Sequence, residues 1–322
     1  MIQNKNVKKK IEYSVVSAVY NSEGSLKLLY ERLDYVFRNL GVGWELILVN
    51  DCSKDRSWDV IKDIVSTYFN VTGVNLMNNF GQQGALMCGF KLVSGDYVLT
   101  VDDDLQHIPE EIPKLIKTLE TGNYDVVYAQ FPKRSYAWYR NFGSRLVNKL
   151  LGKITGLNYE ISQFKLFRRS VIDRIVKFPQ PNVMNDVLIK DVVHKNRIGH
   201  CNVQHQERPI GKSNFNFKKL SIYAFNMIFN FTIWPLRLAS ILGLFFSVVS
   251  FLVGIYFLIY NLVYGSPVLG WTSLILTITF FSGVILFVLG ILGEYMGRIF
   301  LNLNHKPQYV IREVVGKNVG VE

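Results

Sequence analysis

Three consecutive carboxylates, Asp102, Asp103 and Asp104, follow the apolar run Tyr97 to Val101 and precede Leu105-Gln106-His107, a proline and an amphipathic stretch. In open α/β sheets the ligand crevice lies beyond the carboxyl ends of the strands. Asp102 and Asp104, two apart, project together once such a strand opens into a turn. Oxygen donors of this kind suit Mg2+ or Mn2+ bridging to phosphates. Taken alone, the same residues also suit a solvated acidic turn in which Asp104 or a neighbour caps the following helix.

Two further apolar runs end in polar clusters. Tyr13 to Val19 delivers Tyr20-Asn21-Ser22-Glu23, and Glu45 to Asn50 delivers Asp51-Cys52-Ser53-Lys54-Asp55. Between them, Glu23 to Leu40 places Leu26, Leu29, Leu33, Val36 and Phe37 at helical spacing. The unit repeats through a helix near Trp58 to Tyr68, a strand Thr72 to Met77, a helix Ala85 to Leu92, the strand Tyr97 to Val101, a helix Glu110 to Leu119 and a strand Tyr124 to Ala129. Alternation of this kind predicts an α/β fold whose mainly parallel sheet carries helices on both faces. Beyond Pro132 the expectation is helical near Tyr139 to Leu151 and Val183 to Lys195, with a strand at His200 to Gln206. The three strand ends then share one edge, where Asp51 can accept from a base imide or a ribose while Asp102 and Asp104 hold a cation on a diphosphate.

The chain has 322 residues and a net charge of +11. No charged residue occurs from Leu238 to Val263 or from Gly265 to Gly293. A spanning helix needs roughly 20 apolar residues, so two transmembrane helices are expected. Lys218, Lys219 and Arg237 precede the first, and Arg298, Lys306 and Arg312 follow the second. The positive flanks place both termini in the cytoplasm. MIQNKNVKKK is polar and basic and does not read as a signal peptide. Phe217, Leu220, Ala224, Met227, Ile228 and Phe231 fall on one face of a helix that suits the membrane interface or, alternatively, packing on the soluble part. The cysteines Cys52, Cys88 and Cys201 form no disulfide framework, and the histidines follow no zinc spacing. Basic residues are dispersed without a recognised motif, so no nucleic acid is expected as a partner.

VYNSEG, VNDCSKD, NNFGQQGALMCGF and VDDDLQHIPEEIP, in this order, resemble the inverting GT-A glycosyltransferases of family 2. ERPIGKSNFNFKKL, WPLRLASILG and LGEYMGRIFLNLNHKPQYVIRE are similar to the polyprenyl-phosphate branch of that family, the bacterial undecaprenyl-phosphate sugar transferases, with dolichyl-phosphate mannose synthases as more distant relatives. The likeness runs through nearly the whole chain. It implies a GT-A Rossmann-like fold, Mg2+ or Mn2+ as cofactor, a UDP-sugar donor, a polyprenyl phosphate acceptor and a homo-oligomer, a tetramer. It also implies location in the inner membrane as a multi-pass protein with a cytoplasmic catalytic domain, serving cell-envelope glycans such as lipopolysaccharide.

Carried over by position, the resemblance gives Asp51 the base and, with Tyr20, Asn21, Glu23 and Asp102, the nucleotide. It gives Asp102, Asp104 and Gln106 the metal, and Arg208 and Ser213 a basic loop that embraces the phosphates; Pro209 to Asn216, with Gly211 and small polar residues, reads as a lid over donor and acceptor. Asn50 and Ser22 replace acidic residues, Asn214 a lysine, Lys165 an arginine and Gln163 an aspartate usual in relatives. The last change has a chemical reading. A phosphate monoester is already largely dianionic, its second pKa lying near about 6, so such an acceptor needs cations rather than a base. Arg140, Arg145, Lys165, Arg168 and Arg208 are the candidate cations, Ser213 is a further acceptor-phosphate contact, and Asp104, Lys165 and Arg208 are expected to be catalytic. The expected organisation is a catalytic domain over 1–215, an interfacial helix over 216–235, a transmembrane hairpin over 236–297 and a cytoplasmic tail over 298–322. A processive polysaccharide synthase would share the nucleotide edge but calls for more spans and a Q-x-x-R-W motif. A non-catalytic scaffold would not call for the carboxylates.

Overall fold

The computed structural model describes residues 10–131, 162–178, 185–204, 270–303 and 307–316, with scattered positions between 236 and 264. They fall into two units, residues 270–303 and the scattered positions forming one and the remainder the other.

In the first unit the expected alternation appears as β1 (Ile11–Val19), α1 (Leu26–Leu40), β2 (Gly43–Asn50), α2 (Ser57–Thr67), β3 (Val71–Leu76), α3 (Gly81–Phe90), β4 (Tyr97–Thr100), α4 (Ile112–Thr121) and β5 (Val126–Gln130). Then follow β6 (Lys165–Arg168), α5 (Arg169–Ile175), α6 (Asn185–Val192) and β7 (Ile198–Asn202). The second unit supplies α7 (Trp271–Leu303), and β8 (Ile311–Val315) returns to the first.

The sheet has eight strands in the order β7-β5-β6-β4-β1-β2-β3-β8. It is mixed. β1, β2, β3 and β4 run parallel, as do β5 and β7, while β6 runs antiparallel to β4 and β5, and β8 antiparallel to β3. β6 and β8 go beyond the expected pattern because each is short and pairs across a long stretch of chain, which leaves no local periodicity to read.

Both faces of the sheet are dry. Leu26, Leu29, Leu33 and Phe37 of α1, Ile61 and Ile64 of α2, and Leu115 and Leu119 of α4 pack on Val15, Val19, Leu46 and Leu99. On the other face Ala85 to Phe90 of α3, Val171 to Ile175 of α5 and Leu188 and Ile189 of α6 pack on Val16, Ile47, Val49, Val98 and Phe167. Apolar burial at about 25 cal/mol per Å2 is what assembles these layers. Gly41 ends α1 with φ of 71°, the left-handed conformation that a glycine adopts without a Cβ penalty, and its N–H reaches Arg38 O at 3.1 Å.

Register fixes where the turns emerge. Val19 lies beside Asn50, and Val16 beside both Ile47 and Thr100, so β1, β2 and β4 end nearly level. Their following residues therefore share one edge.

Among the described residues one helix is long and apolar enough to cross a bilayer, through the window Phe280–Gly297 of α7. The described positions of 236–264 within the first expected span are helical, and the others lie outside the described residues, as does the expected interfacial helix. The segment 298–322 is not a plain tail: α7 continues to Leu303 and β8 closes the sheet edge. The helix expected near Tyr139 to Leu151 also falls outside the described residues.

Candidate active site

The turns after β1 and β2 bind each other. Asn21, at φ 54°, donates its amide to Ser53 Oγ at 3.0 Å and accepts Lys54 N–H on its side-chain oxygen at 2.8 Å. Glu23 donates its amide to Asp55 Oδ2 at 3.1 Å while its own carboxylate accepts Arg56 N–H at 2.9 Å. These reciprocal bonds satisfy backbone groups that would otherwise have no partner, and they hold the two turns as one rim. Tyr20 leaves its ring exposed on that rim.

Asp51 lies at its base, 3% exposed. Its Oδ1 accepts Phe80 N–H at 2.7 Å, and Gly81 N–H also bonds to it. Burial raises its pKa, an effect the two amide bonds oppose. Asn79 reaches the Asp51 carbonyl through its side-chain amide at 3.2 Å. The start of α3 is thus fastened by Asp51, which explains why the helix begins four residues earlier than its apolar residues indicate.

The three carboxylates after β4 diverge. Asp103 turns toward β1, its Oδ2 accepting Tyr20 N–H at 2.9 Å and its backbone carbonyl accepting the Ser25 hydroxyl at 2.5 Å. Burial pushes its pKa up to about 6, with hydrogen bonds from Ser22 and Tyr20 acting in the opposite sense and the charges of Asp102 and Asp104 adding to the rise. Asp102 accepts the Gln82 side-chain amide on Oδ1 at 2.7 Å. Asp104 accepts Gln106 N–H on Oδ1 at 3.1 Å. Leu105, at φ 62°, makes the bend between them, and its buried side chain holds this strained backbone in place.

Lys165 opens β6 opposite Thr100 and Tyr128, level with the carboxylate turn. It is 1% exposed, with Nζ 5.2 Å from the Tyr128 ring centre and 3.4 Å from Gln163 Oε1. The structure thus brings Tyr20, Asn21, Glu23, Asp51, Asp102, Asp104, Gln106 and Lys165 to one edge. Arg168 does not join them. It pairs with Tyr97 at the opposite end of the antiparallel strand, donates to Tyr124 O at 2.9 Å and lies 3.7 Å from Asp125, which corrects its expected place beside an acceptor phosphate. Arg140, Arg145, Arg208 and Ser213 lie outside the described residues.

Sequence reasoning passes over Gln82, Asp103 and His107. His107 is weighed there only as a zinc ligand, and the useful signal is its position, three residues past Asp104 on a turn that must fold back. Asp103 carries no signal that separates it from its neighbours.

Asp102 and Asp104 present hard oxygen donors on a turn, and Mg2+ is commonly held by one or two carboxylates completed by substrate phosphates and water. The donor set fits such an ion. Among the described residues no three His, Cys, Asp or Glu side chains converge on one point.

A mixed sheet with a parallel centre and helices on both faces is a GT-A-like α/β fold, and comparison with solved structures agrees on it. Glucosyl-3-phosphoglycerate synthase from Mycobacterium tuberculosis, in complex with Mn2+, UDP-glucose and phosphoglyceric acid, aligns with a TM-score of 0.50 and 19% identity over 68% of this chain and 78% of that one. Residues 14–176 match Glycosyl transferase family 2, and the chain belongs to that family. It is 34% identical to the undecaprenyl-phosphate 4-deoxy-4-formamido-L-arabinose transferase of Photorhabdus laumondii over 95% of this chain and 94% of that one. It is also 34% identical to the transferase of the same description from Proteus mirabilis, over 94% of each.

Proposed function

We propose that this glycosyltransferase moves a sugar from a UDP-sugar to undecaprenyl or another polyprenyl phosphate at the cytoplasmic face of the inner membrane, with inversion in a single in-line displacement. The reading is carried by the placement of Asp51, Asp102 and Asp104 along one sheet edge in a chain similar along almost its full length to undecaprenyl-phosphate sugar transferases. Asp51 takes the uracil ring or ribose at the floor of the edge, with Tyr20, Asn21 and Glu23 forming its rim. Asp102 and Asp104, with Gln106 beside them, hold Mg2+ or Mn2+, as the Mn2+ and UDP-glucose bound by the mycobacterial synthase support. When bound, that ion supplies positive charge against the departing diphosphate.

The acceptor side follows from charge. Gln163 is an amide whose backbone carbonyl accepts the Thr100 hydroxyl at 2.5 Å and whose Oε1 faces Lys165 Nζ. It cannot act as a general base, and a phosphate nucleophile already ionised at neutral pH does not need one. Lys165 supplies positive charge toward the two anionic substrates, joined by Arg140, Arg145 and Arg208, while the Ser213 hydroxyl donates a hydrogen bond to phosphate. Two transmembrane helices within 236–297 and an interfacial helix over 216–235 hold the catalytic domain, 1–215 with the returning end of the chain, at the headgroups. The assembly is a homo-oligomer, a tetramer.

The test is transfer of radiolabel from a panel of UDP-sugars to extractable undecaprenyl phosphate by purified protein. Asp104→Asn should lower turnover about 100-fold or more, the scale of losing one charge-stabilising group, while membrane insertion persists. Label that goes only to water or to a soluble sugar, or near-normal turnover in the variant, counts against the assignment.

A further inference from the structure

Asp102 is gripped from two elements that are far apart in sequence. From α3, the exposed Gln82 donates its side-chain amide to Asp102 Oδ1 at 2.7 Å. From the turn after β4, His107 Nδ1 accepts Asp102 N–H at 3.1 Å while its Nε2 lies 3.4 Å from Asp102 Oδ2. A backbone amide can only donate, so the ring nitrogen facing it is the unprotonated one and the neutral ring carries its proton on Nε2, toward the carboxylate. The imidazole cannot swing away. It is stacked with both Phe131 and Phe164, with ring centres at 5.6 and 5.1 Å and planes within 8° and 12° of parallel, and it is 4% exposed.

Gln82 is equally well placed from behind. It sits in the first turn of α3, whose start is fastened by the Phe80 and Gly81 amides on Asp51. The returning chain comes close to the same helix, for a Cβ on Gly84 would meet Gln308 O at 2.9 Å. One oxygen of Asp102 is thus set by a helix anchored on Asp51, and the other faces a ring locked in the aromatic core.

We infer that Gln82 and His107 are positioning residues that orient the Asp102 carboxylate for the divalent ion, and that Gln82 ties its orientation to the Asp51 floor. This rests on the reading of Asp102 as a metal ligand. Carboxylates that ligate metals are themselves held by hydrogen bonds, and losing such an outer partner typically weakens metal affinity 10- to 100-fold. A fixed carboxylate loses less freedom on binding than one able to rotate.

The experiment uses full-length protein in detergent with UDP present and reads Mn2+ affinity by electron paramagnetic resonance, beside the melting midpoint. Gln82→Ala should weaken Mn2+ binding about 10-fold with the midpoint unchanged, since Gln82 is exposed. Gln82→Asn, one methylene too short to reach, should behave in the same way. His107→Asn keeps an acceptor for the Asp102 amide but lacks the Nε2 donor, and it too should weaken Mn2+. If removal of the stacked ring lowers the midpoint, the Gln82 pair alone decides. Combined with Asp102→Asn, Gln82→Ala should add no further loss. Parent-like Mn2+ affinity in both Gln82 variants overturns the inference when Asp102→Asn has lost the ion. Parent-like affinity in Asp102→Asn itself overturns the underlying reading instead.

Discussion

Asp103 turns back toward β1, where its Oδ2 accepts Tyr20 N–H and burial acts on its charge. Tyr20 N–H and the Ser22 hydroxyl favour its charged form, yet desolvation and the adjacent Asp102 and Asp104 outweigh them, and the pKa stands at about 6 against an ordinary 3.8. Between those values the folded chain keeps a proton that the unfolded chain has released. Stability is therefore highest below about pH 4 with respect to this group and falls as pH rises through about 6. A shift of this size corresponds to at most about 3 kcal/mol, less where water reaches the carboxylate. In protein stripped of divalent ions, the melting midpoint should drop between pH 4 and 7, and Asp103→Asn should flatten that drop while retaining an acceptor for Tyr20 N–H. An equally steep profile in the variant would place the pH dependence elsewhere.

At the scale of elements, legibility tracks how local the determining contacts are. β1, β2 and β4 are readable because Val, Ile and Leu runs stop at Asn, Asp and Ser clusters, and the shared edge follows from parallel pairing alone. β6 is not, because Lys165 to Arg168 is only four residues long and makes sense only against Thr100 and Tyr128. The opposite fates of Lys165 and Arg168 depend on that antiparallel direction, which no spacing reveals. The approach of α3 to β1 is equally hidden. A Cβ on Gly89 would overlap Val16 Cγ1 and press on Val49 Cγ2 at 3.3 Å. Alanine in place of a helical glycine gains up to about 1 kcal/mol of propensity, whereas overpacking a rigid core costs typically 1–3 kcal/mol. Valine is stiff at χ1 and cannot fold its methyl away. Gly89→Ala should therefore lower the melting midpoint despite its better propensity, and a midpoint equal to or above the parent's would show that the layers have slack.

At the scale of the molecule, the chain leaves its catalytic sheet for a helix of whose apolar window no residue is fully buried among the described residues, then comes back to finish the sheet. An exposed apolar surface of that extent calls for lipid or a partner. The return is specific. Met77 donates its N–H to Val310 O at 2.8 Å, Trp58 Nε1 donates to Glu313 Oε2 at 3.2 Å, Arg312 reaches Met77 O at 3.4 Å, and Gln308 donates its side-chain amide to Phe178 O at 3.0 Å. Without β8 the edge of β3 would offer unpaired amides and carbonyls to any other strand, the usual route to aggregation. The same segment passes close to Gly84 of α3, which carries Gln82 and is fastened to Asp51, so residues that come after the apolar helix lie against the helix that anchors this sheet edge. A fragment of residues 1–214 joined by a flexible Gly/Ser linker to 305–322 should melt higher, stay soluble longer and bind UDP with Mn2+ more tightly than residues 1–214 alone. Calorimetric melting and titration of the two fragments side by side measure this. Equal midpoints and equal UDP affinity would mean that β8 merely rests on the sheet and that the edge supports itself.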